Sequence, residues 1–491
     1  MSLFLFFIYQ NIRNSSIIIL VFIFIVILKE GDNIFSEEKQ YNKMTKTPVN
    51  KLVISLAIPT IVSMLVTAIY NLADTFFVSR LGVSASGAVG VVFPLMAIIQ
   101  AIGFTLGMGG GSNISAKLGE KDNEGAQRIG SSAFYIALAI GTLLTILGII
   151  FLKDVLYLLG STDTILPYAY DYGKYIVYGA PIMTASFVLN NILRSEGKAK
   201  FSMIGLSIGG LLNIGLDPLF IYGFNLGISG AAIATLISQC ISFLIMLSFF
   251  LLKKSIITLK PIYIAKRFKE YIEIVNVGLP SLARQGLASV STILLNSAAG
   301  SIAGDPALSA MSIVGKIFMI LFSIALGIGQ GYQPVVGYNY SSKHYDRVKQ
   351  AFKFTFISCT IVMGLMGLIF FIFSDGVIKL FMDPKESEVE KVIKIGGEAL
   401  RYQCLVMPLM GVNLICNMSF QATRKKALAT LLSICRQGIF FIPLVLILPS
   451  IINLKGVQLT QPLSDTLTCL FSIPFFIYFI RHLNNKMSEN L

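Results

Sequence analysis

The sequence predicts an all-α polytopic membrane protein of twelve transmembrane helices, and three observations carry that expectation. Only 13% of the 491 residues are charged and 55% are hydrophobic, whereas a soluble domain carries roughly 25% charged residues. The apolar residues come in blocks long enough to cross a bilayer, which takes about 20 residues of helix. The blocks do not alternate as barrel strands do, and a helix satisfies its own backbone hydrogen bonds, so it can sit in lipid.

The twelve spans lie near 52–78, 86–112, 130–152, 170–193, 201–222, 228–252, 275–298, 308–334, 352–374, 397–421, 428–449 and 462–480. They group into an N-terminal six-helix lobe (44–252) and a C-terminal one (274–482) around a central cavity. A polar connector (253–273) joins the lobes and a short tail (483–491) follows them. The connectors around Lys117/Lys121/Arg128, Arg194/Lys198/Lys200, Lys253–Lys269, Lys343/Arg347/Lys349 and Arg424/Lys425/Lys426 are basic, and they alternate with neutral, acidic or mixed ones. The positive-inside rule therefore puts the basic set and both termini in the cytoplasm. The stretch 375–396 mixes lysines with Asp375, Asp383, Glu386, Glu388 and Glu390 and is expected outside.

The first 43 residues stand apart. Ile17–Leu28 is apolar but short for a span, and Lys29-Glu30 follow it with no small-residue cleavage site, so a signal peptide fits poorly. The segment reads either as an extra membrane-associated helix or as residues ahead of a start at Met44, from which MTKTPVNKL leads into span one.

The net charge of +14 belongs to short loops facing anionic lipid. No basic face lies outside the spans, so no nucleic-acid partner is expected. The six cysteines (Cys240, Cys359, Cys404, Cys416, Cys435 and Cys469) lie in apolar segments without a CxxC pair, and the two histidines, His344 and His482, fall in or beside polar stretches. They predict neither disulfides nor a histidine metal site. The run Gly107–Gly111 lacks the Lys-Ser/Thr ending of a phosphate loop and reads as close helix packing or a hinge. No nucleophile elbow or zinc-ligand helix is present, so the chain is not expected to be an enzyme or to need a cofactor.

The halves repeat. Ile58-Pro59 matches Leu279-Pro280, Gly109–Asn113 matches Gly329–Gln333, and Pro181 and Asn190 match Pro408 and Asn417. The turns RSEGKAK and QATRKKA follow those last two. Six spans per repeat is an even number, so the halves share one topology and are related by an axis along the membrane normal. That arrangement suits a transporter that rocks its halves about a central cavity.

Carboxylates inside spans need a reason, since each costs about 2.5–3.5 kcal/mol on insertion scales. Asp74 follows Tyr70-Asn71 in span one, and Asp217 lies one turn after Asn213 in span five, just before Pro218. Residues at i and i+4 share a helix face. Two carboxylates, an amide oxygen and a hydroxyl make an oxygen-lined nest for Na⁺; the same carboxylates can instead carry protons. Two plainer readings stand beside these: hydration of Asp74 at the outer boundary, and a structural hydrogen bond from Asp217 beside the Pro218 kink. Asp465, at the start of span twelve, reads as a boundary residue. The basic residues inside spans are Arg284, Lys316 and Arg436, all in the second half; they suit an anion site, a neutralising partner or a structural or gating role. Tyr70, Asn71, Gln239, Gln285, Asn417 and Arg436 are candidates for the cavity lining, although helix–helix hydrogen bonds account for any single amide as well.

The runs LAIPTIVSMLVTAIYNLADTFFVSRLG, LRSEGKAKFSMIGLSIGGLLNIGLDPLFIYGFNLGISGAAIATLISQ and GQGYQPVVGYNYSSKHYDRVKQAF resemble the multidrug and toxic compound extrusion (MATE) family, over about residues 45–485. The resemblance implies two six-helix lobes and cation-coupled export, by Na⁺ or H⁺ antiport and alternating access, of bulky, often cationic amphiphiles from the cytoplasm. It implies a multi-pass protein of the bacterial cell membrane, in contact with lipid and acting as a monomer. In the DinF-like branch the coupling ion is gathered in the N-terminal lobe by residues that fall here on Asp74, Asn213 and Asp217. Thr235 stands at the matching distance in span six, and Asn190, with Asn191 adjoining, matches the fourth-helix asparagine. Spans seven, eight and ten lack the acidic residues of other branches, apart from Glu398 at the start of span ten, which favours an N-terminal coupling site. A lipid-linked oligosaccharide flippase of the same wider superfamily is the alternative, with Arg284, Lys316 and Arg436 receiving a pyrophosphate.

Overall fold

The computed structural model describes residues 37–382 and 388–489. Ile17–Leu28 and, in the mixed loop, Asp383 and Glu386 lie outside the described residues. Ten helices among those described are long and apolar enough to cross a membrane. Two of them, Phe268–Ser341 and Lys426–Glu489, are broken in mid-course, at Ala303–Gly304 and at Ile452–Asn453. Both breaks leave helical backbone geometry, and Gly304 and Asn453 take positive φ values of 66° and 50°, which glycine and asparagine tolerate best. Each broken helix therefore makes two crossings, and the described chain holds twelve spans.

The chain divides into two compact units. The first contains Ile58–Gly278 with the leading helix Glu37–Lys46; the second contains Pro48–Ala57 and residues from Leu279 onward. The opening turns of span one thus belong with the second unit, and those of span seven with the first. Glycine makes both attachments possible. A Cβ on Gly278 would overlap the carbonyl of Thr105 in span two, and a Cβ on Gly331 in span eight would overlap the backbone of Leu56 and Ala57. These two contacts occupy equivalent places in the repeat, since Gly278 and Ala57 directly precede the matched Leu279-Pro280 and Ile58-Pro59.

The repeat also explains the asparagines that end spans four and ten. Asn190 donates to Ser202 Oγ at 2.5 Å. Asn417 donates to the carbonyl of Ala429 at 2.6 Å and to Ser433 Oγ at 2.8 Å. Ser202 and Ala429 each lie twelve residues beyond their asparagine. In both units the amide pins the next span across a tight basic turn.

The connector after span six is strapped to the first unit. Gln127 donates to Ile256 O and accepts from Thr258 N, while Ser131 and Tyr135 donate to Thr258 O and Leu259 O. Glu196, fully buried, accepts from Ser255 Oγ, Ile256 N and Ile257 N, and Lys198 Nζ lies 3.1 Å from its carboxylate. The leading helix seals the same corner: Gln40 donates to Glu196 O, and Met44 is 0% exposed. A buried acid is tolerated here because each oxygen meets donors and the charge meets a cation.

Candidate functional site

Span five sets the register of the site in the first unit. Asn213 and Asp217 share one helix face, and Asn213 Nδ2 donates to Asp217 Oδ1 at 3.1 Å. The same amide donates to Thr235 Oγ1 of span six at 3.2 Å. Pro218 follows at once; having no N–H, it cannot bond to the carbonyl of Ile214, and the helix widens into a π-type turn over Leu219–Gly223. Such turns gather at functional sites. Span one approaches span five at Gly210, where a Cβ would crowd Val66 and Tyr70. Asp74 lies one turn beyond Tyr70, and span four supplies Tyr172, whose hydroxyl donates to Asp74 Oδ2 at 3.1 Å.

Asp217 is fully buried and Asp74 is 9% exposed. Asp74 is therefore not hydrated at a boundary. The two carboxylates lie within electrostatic reach of each other, and Tyr172 within reach of both. Tyr70 contacts Gln239 through its hydroxyl. Val78, Val92, Tyr172, Ile176, Ile221 and Ile228 form part of one buried apolar cluster beside the group, which keeps the local dielectric low and strengthens charge interactions there.

The donor–acceptor balance is uneven. Asp74 Oδ1, Asn213 Oδ1 and Asp217 Oδ2 are buried without a hydrogen-bond partner. Buried acceptors are nearly always satisfied, and three orphans in one cluster describe a place for a cation or for protons.

The other sequence candidates fall elsewhere. Asn190 is spent on Ser202, and among the described residues no hydrogen bond joins it to Asp217. Asn71 donates to the Thr67 carbonyl of its own helix. Asn417 pins span eleven. Gln285 is partly exposed in span seven. Arg436 pairs with Asp465: Nε lies 2.6 Å from Oδ1 and Nη2 3.4 Å from Oδ2. Gln403 and Gln461 also donate to that carboxylate, at 2.8 and 3.0 Å. Asp465 is 3% exposed, which corrects its reading as a boundary residue. Its helix resumes directly after Asn453, so Asp465 lies about three turns inside.

Sequence reasoning missed Tyr172 and the Asp465 cluster. A tyrosine in an apolar helix carries no mark distinguishing it from an interfacial one, and nothing in one chain pairs span one with span four. The polar run Gln458-Leu-Thr-Gln461 before Asp465 did carry a signal: Gln461 donates to that buried acid, and Gln458 donates to Ile395 O and Glu398 of span ten.

The MatE family model matches residues 59–219 and 280–447, once in each half. The multidrug export protein MepA of Staphylococcus saprophyticus is 26% identical over 446 residues, 91% of this chain and 97% of that protein. The protein of the same name from Staphylococcus aureus is 26% identical over 447 residues with the same coverage. A solved structure described as the outward-facing conformation of a multidrug resistance MATE family transporter superposes with a TM-score of 0.86. It shares 24% identity, covering 92% of this chain and 99% of that one.

Proposed function

The chain belongs to the MatE family, and from that premise we propose that it is a Na⁺-coupled antiporter exporting amphiphilic, often cationic compounds by alternating access. Multidrug efflux is the activity of the family, and the chain is a secondary transporter, not an enzyme. Na⁺ is the ion that the donor set suits. The observation that carries this is the orphaned trio Asp74 Oδ1, Asn213 Oδ1 and Asp217 Oδ2, with Thr235 Oγ1 beside it. An amide oxygen and a hydroxyl are ligands for a hard cation, whereas a proton carrier needs only the carboxylates.

In this mechanism a cation entering from outside takes the oxygens of Asp74, Asn213 and Asp217. Tyr172 orients Asp74, and the Asn213 amide holds Asp217 and Thr235 in register. Substrate and cation must differ in affinity between the inward- and outward-open states, since binding both equally shifts nothing. The protein sits in the bacterial cell membrane as a monomer with both termini cytoplasmic. The flippase reading is the weaker one: Asp465 already neutralises Arg436, which removes one of the three cations that would receive a pyrophosphate.

The test is efflux of rhodamine 123 from proteoliposomes under an imposed Na⁺ gradient and, separately, an H⁺ gradient. Efflux driven by Na⁺ and lost in Asp217→Asn is the expected result. Efflux driven by H⁺ alone would reassign the ion, and full efflux by Asp217→Asn would remove the site.

A further inference from the structure

Arg284 is in the wrong place for a structural arginine. It lies sixteen residues into the helix that starts at Phe268, or about 24 Å along its axis. Leu279, Leu282, Val290 and Ile293 are all exposed and apolar. At 100° per residue they form one stripe pointing out of the second unit, and Arg284 falls on the opposite face. It shares that face with Ser281, which receives a hydrogen bond from Gln421 at 3.2 Å, and with Ser291, which donates to Gln437 O at 3.2 Å. The side chain therefore turns into the unit, toward spans ten and eleven.

There it finds nothing to bind. Guanidinium carries five N–H donors, yet Arg284 makes no hydrogen bond or ion pair among the described residues, and its Nη1 is buried without a partner. Arg436 lies close enough to repel it. Asp465, which answers Arg436, is already held by that arginine, Gln403 and Gln461. The Arg436–Asp465 pair is thus closed and neutral, with the guanidinium 4.8 Å over the Phe322 ring and 5.4 Å over Phe318. Lys316 projects from the far side of the helix that bears those rings. A second orphan lies on the neighbouring span eleven, on the π-type turn Cys435–Phe441 that Ser291 of span seven bonds: Gln437 is 8% exposed and its Oε1 has no partner. One uncommitted cation and one uncommitted acceptor lie on adjoining spans of a single unit.

The geometry points to an acid-receptive site at Arg284 that takes the carboxylate or phosphate of an amphiphile. Arg284 is half-buried, but its Nη1 is sealed from water with no acceptor; a buried donor left unpaired is costly, and an anion arriving with acceptor oxygens removes that cost. Arginine forks match such oxygens two at a time. The inference rests on the exporter reading and extends its substrate class from cations to zwitterions that present an acidic group to the second unit. The same chemistry is carried by a transported solute or by the phosphate of an anionic lipid.

A matched pair of dyes tests it: rhodamine 110 has a free carboxylate, and rhodamine 123 is its methyl ester. Binding to the purified protein in phosphatidylcholine nanodiscs is compared for wild type, Arg284→Gln and Arg284→Lys. Arg284→Gln is expected to weaken rhodamine 110 about tenfold or more and to leave rhodamine 123 within about twofold, with Arg284→Lys between them. Equal loss of both dyes, or loss of neither, overturns the inference. A melting curve of Arg284→Gln keeps the result interpretable, since deleting a half-buried charge that makes no bond should not lower the midpoint. Adding phosphatidylglycerol separates the sources: displacement of rhodamine 110 from wild type assigns the site to lipid phosphate, and no displacement assigns it to the solute. Wild-type efflux of rhodamine 123 reports on the exporter reading alone, so the two ideas fail separately.

Discussion

Tyr172 is the only described residue that donates a hydrogen bond to Asp74, across 3.1 Å from span four to span one. Replacing it by Phe keeps the ring and leaves the buried carboxylate with no donor. Hydrogen bonds to charged groups are worth about 1.5–3 kcal/mol, so Tyr172→Phe should melt earlier than wild type in Na⁺-free buffer. A cation bound at Asp74 replaces the missing donor and stabilises by mass action. The gap between the two melting midpoints should therefore close in saturating Na⁺; a gap that ignores Na⁺ would place the cation elsewhere.

Thr235→Val is close to isosteric and removes one oxygen while Asn213 keeps its bond to Asp217. If that oxygen serves Na⁺, the concentration giving half-maximal efflux should rise about fivefold, the equivalent of about 1 kcal/mol. A pump driven by protons would show no change, because a threonine hydroxyl holds no exchangeable charge at neutral pH.

Asn190→Ala and Asn417→Ala form a second pair. Each deletes an equivalent pin between consecutive spans, and each should cost about 1–2 kcal/mol of stability, read as a lower melting midpoint. Neither should alter the Na⁺ concentration for half-maximal efflux in the protein that remains folded. A selective change in that concentration for Asn190→Ala would return it to the coupling set.

Asp465→Asn strands Arg436 in the interior and should destabilise by about 3–5 kcal/mol. Neutralising both partners, Arg436→Gln with Asp465→Asn, should recover most of that loss, because the desolvation of both charges disappears along with their attraction. Thermal melts of the single and double variants in detergent measure the coupling directly.

Much of the architecture could be read from apolar run lengths, because bilayer thickness sets them and a helix is the simplest way through. Asp74, Asn213 and Asp217 stood out for a related reason: a carboxylate amid leucines and isoleucines has to be explained. Other features depend on packing that no run length encodes. Asn190 and Asn417 look alike whether they line a cavity or pin a turn, and only the neighbours at Ser202 and Ala429 decide. Asp465 was misplaced because the apolar run of span twelve starts later than its helix does; in the polar turns before it Gln458 bonds to Ile395 and Glu398, and Asp465 itself is held by Gln403 and Arg436. Arg284 could be seen as a basic residue within a span, but its isolation is a property of every other side chain around it.

The crossed attachments at Gly278 and Gly331 have a consequence for the order of synthesis. The chain emerges from its amino end, so Pro48–Ala57 leave the ribosome among the first turns of span one. Their place against Gly331 does not exist until span eight has been made. The first unit, in turn, stays open beside Thr105 until Ile274–Gly278 arrive, after all six of its spans have been inserted. Neither half can finish folding from its own spans, and a chain halted at the connector would leave a gap beside span two. Completion of the two units is thereby tied to translation of both, which gives a duplicated protein a check against accumulating as a half.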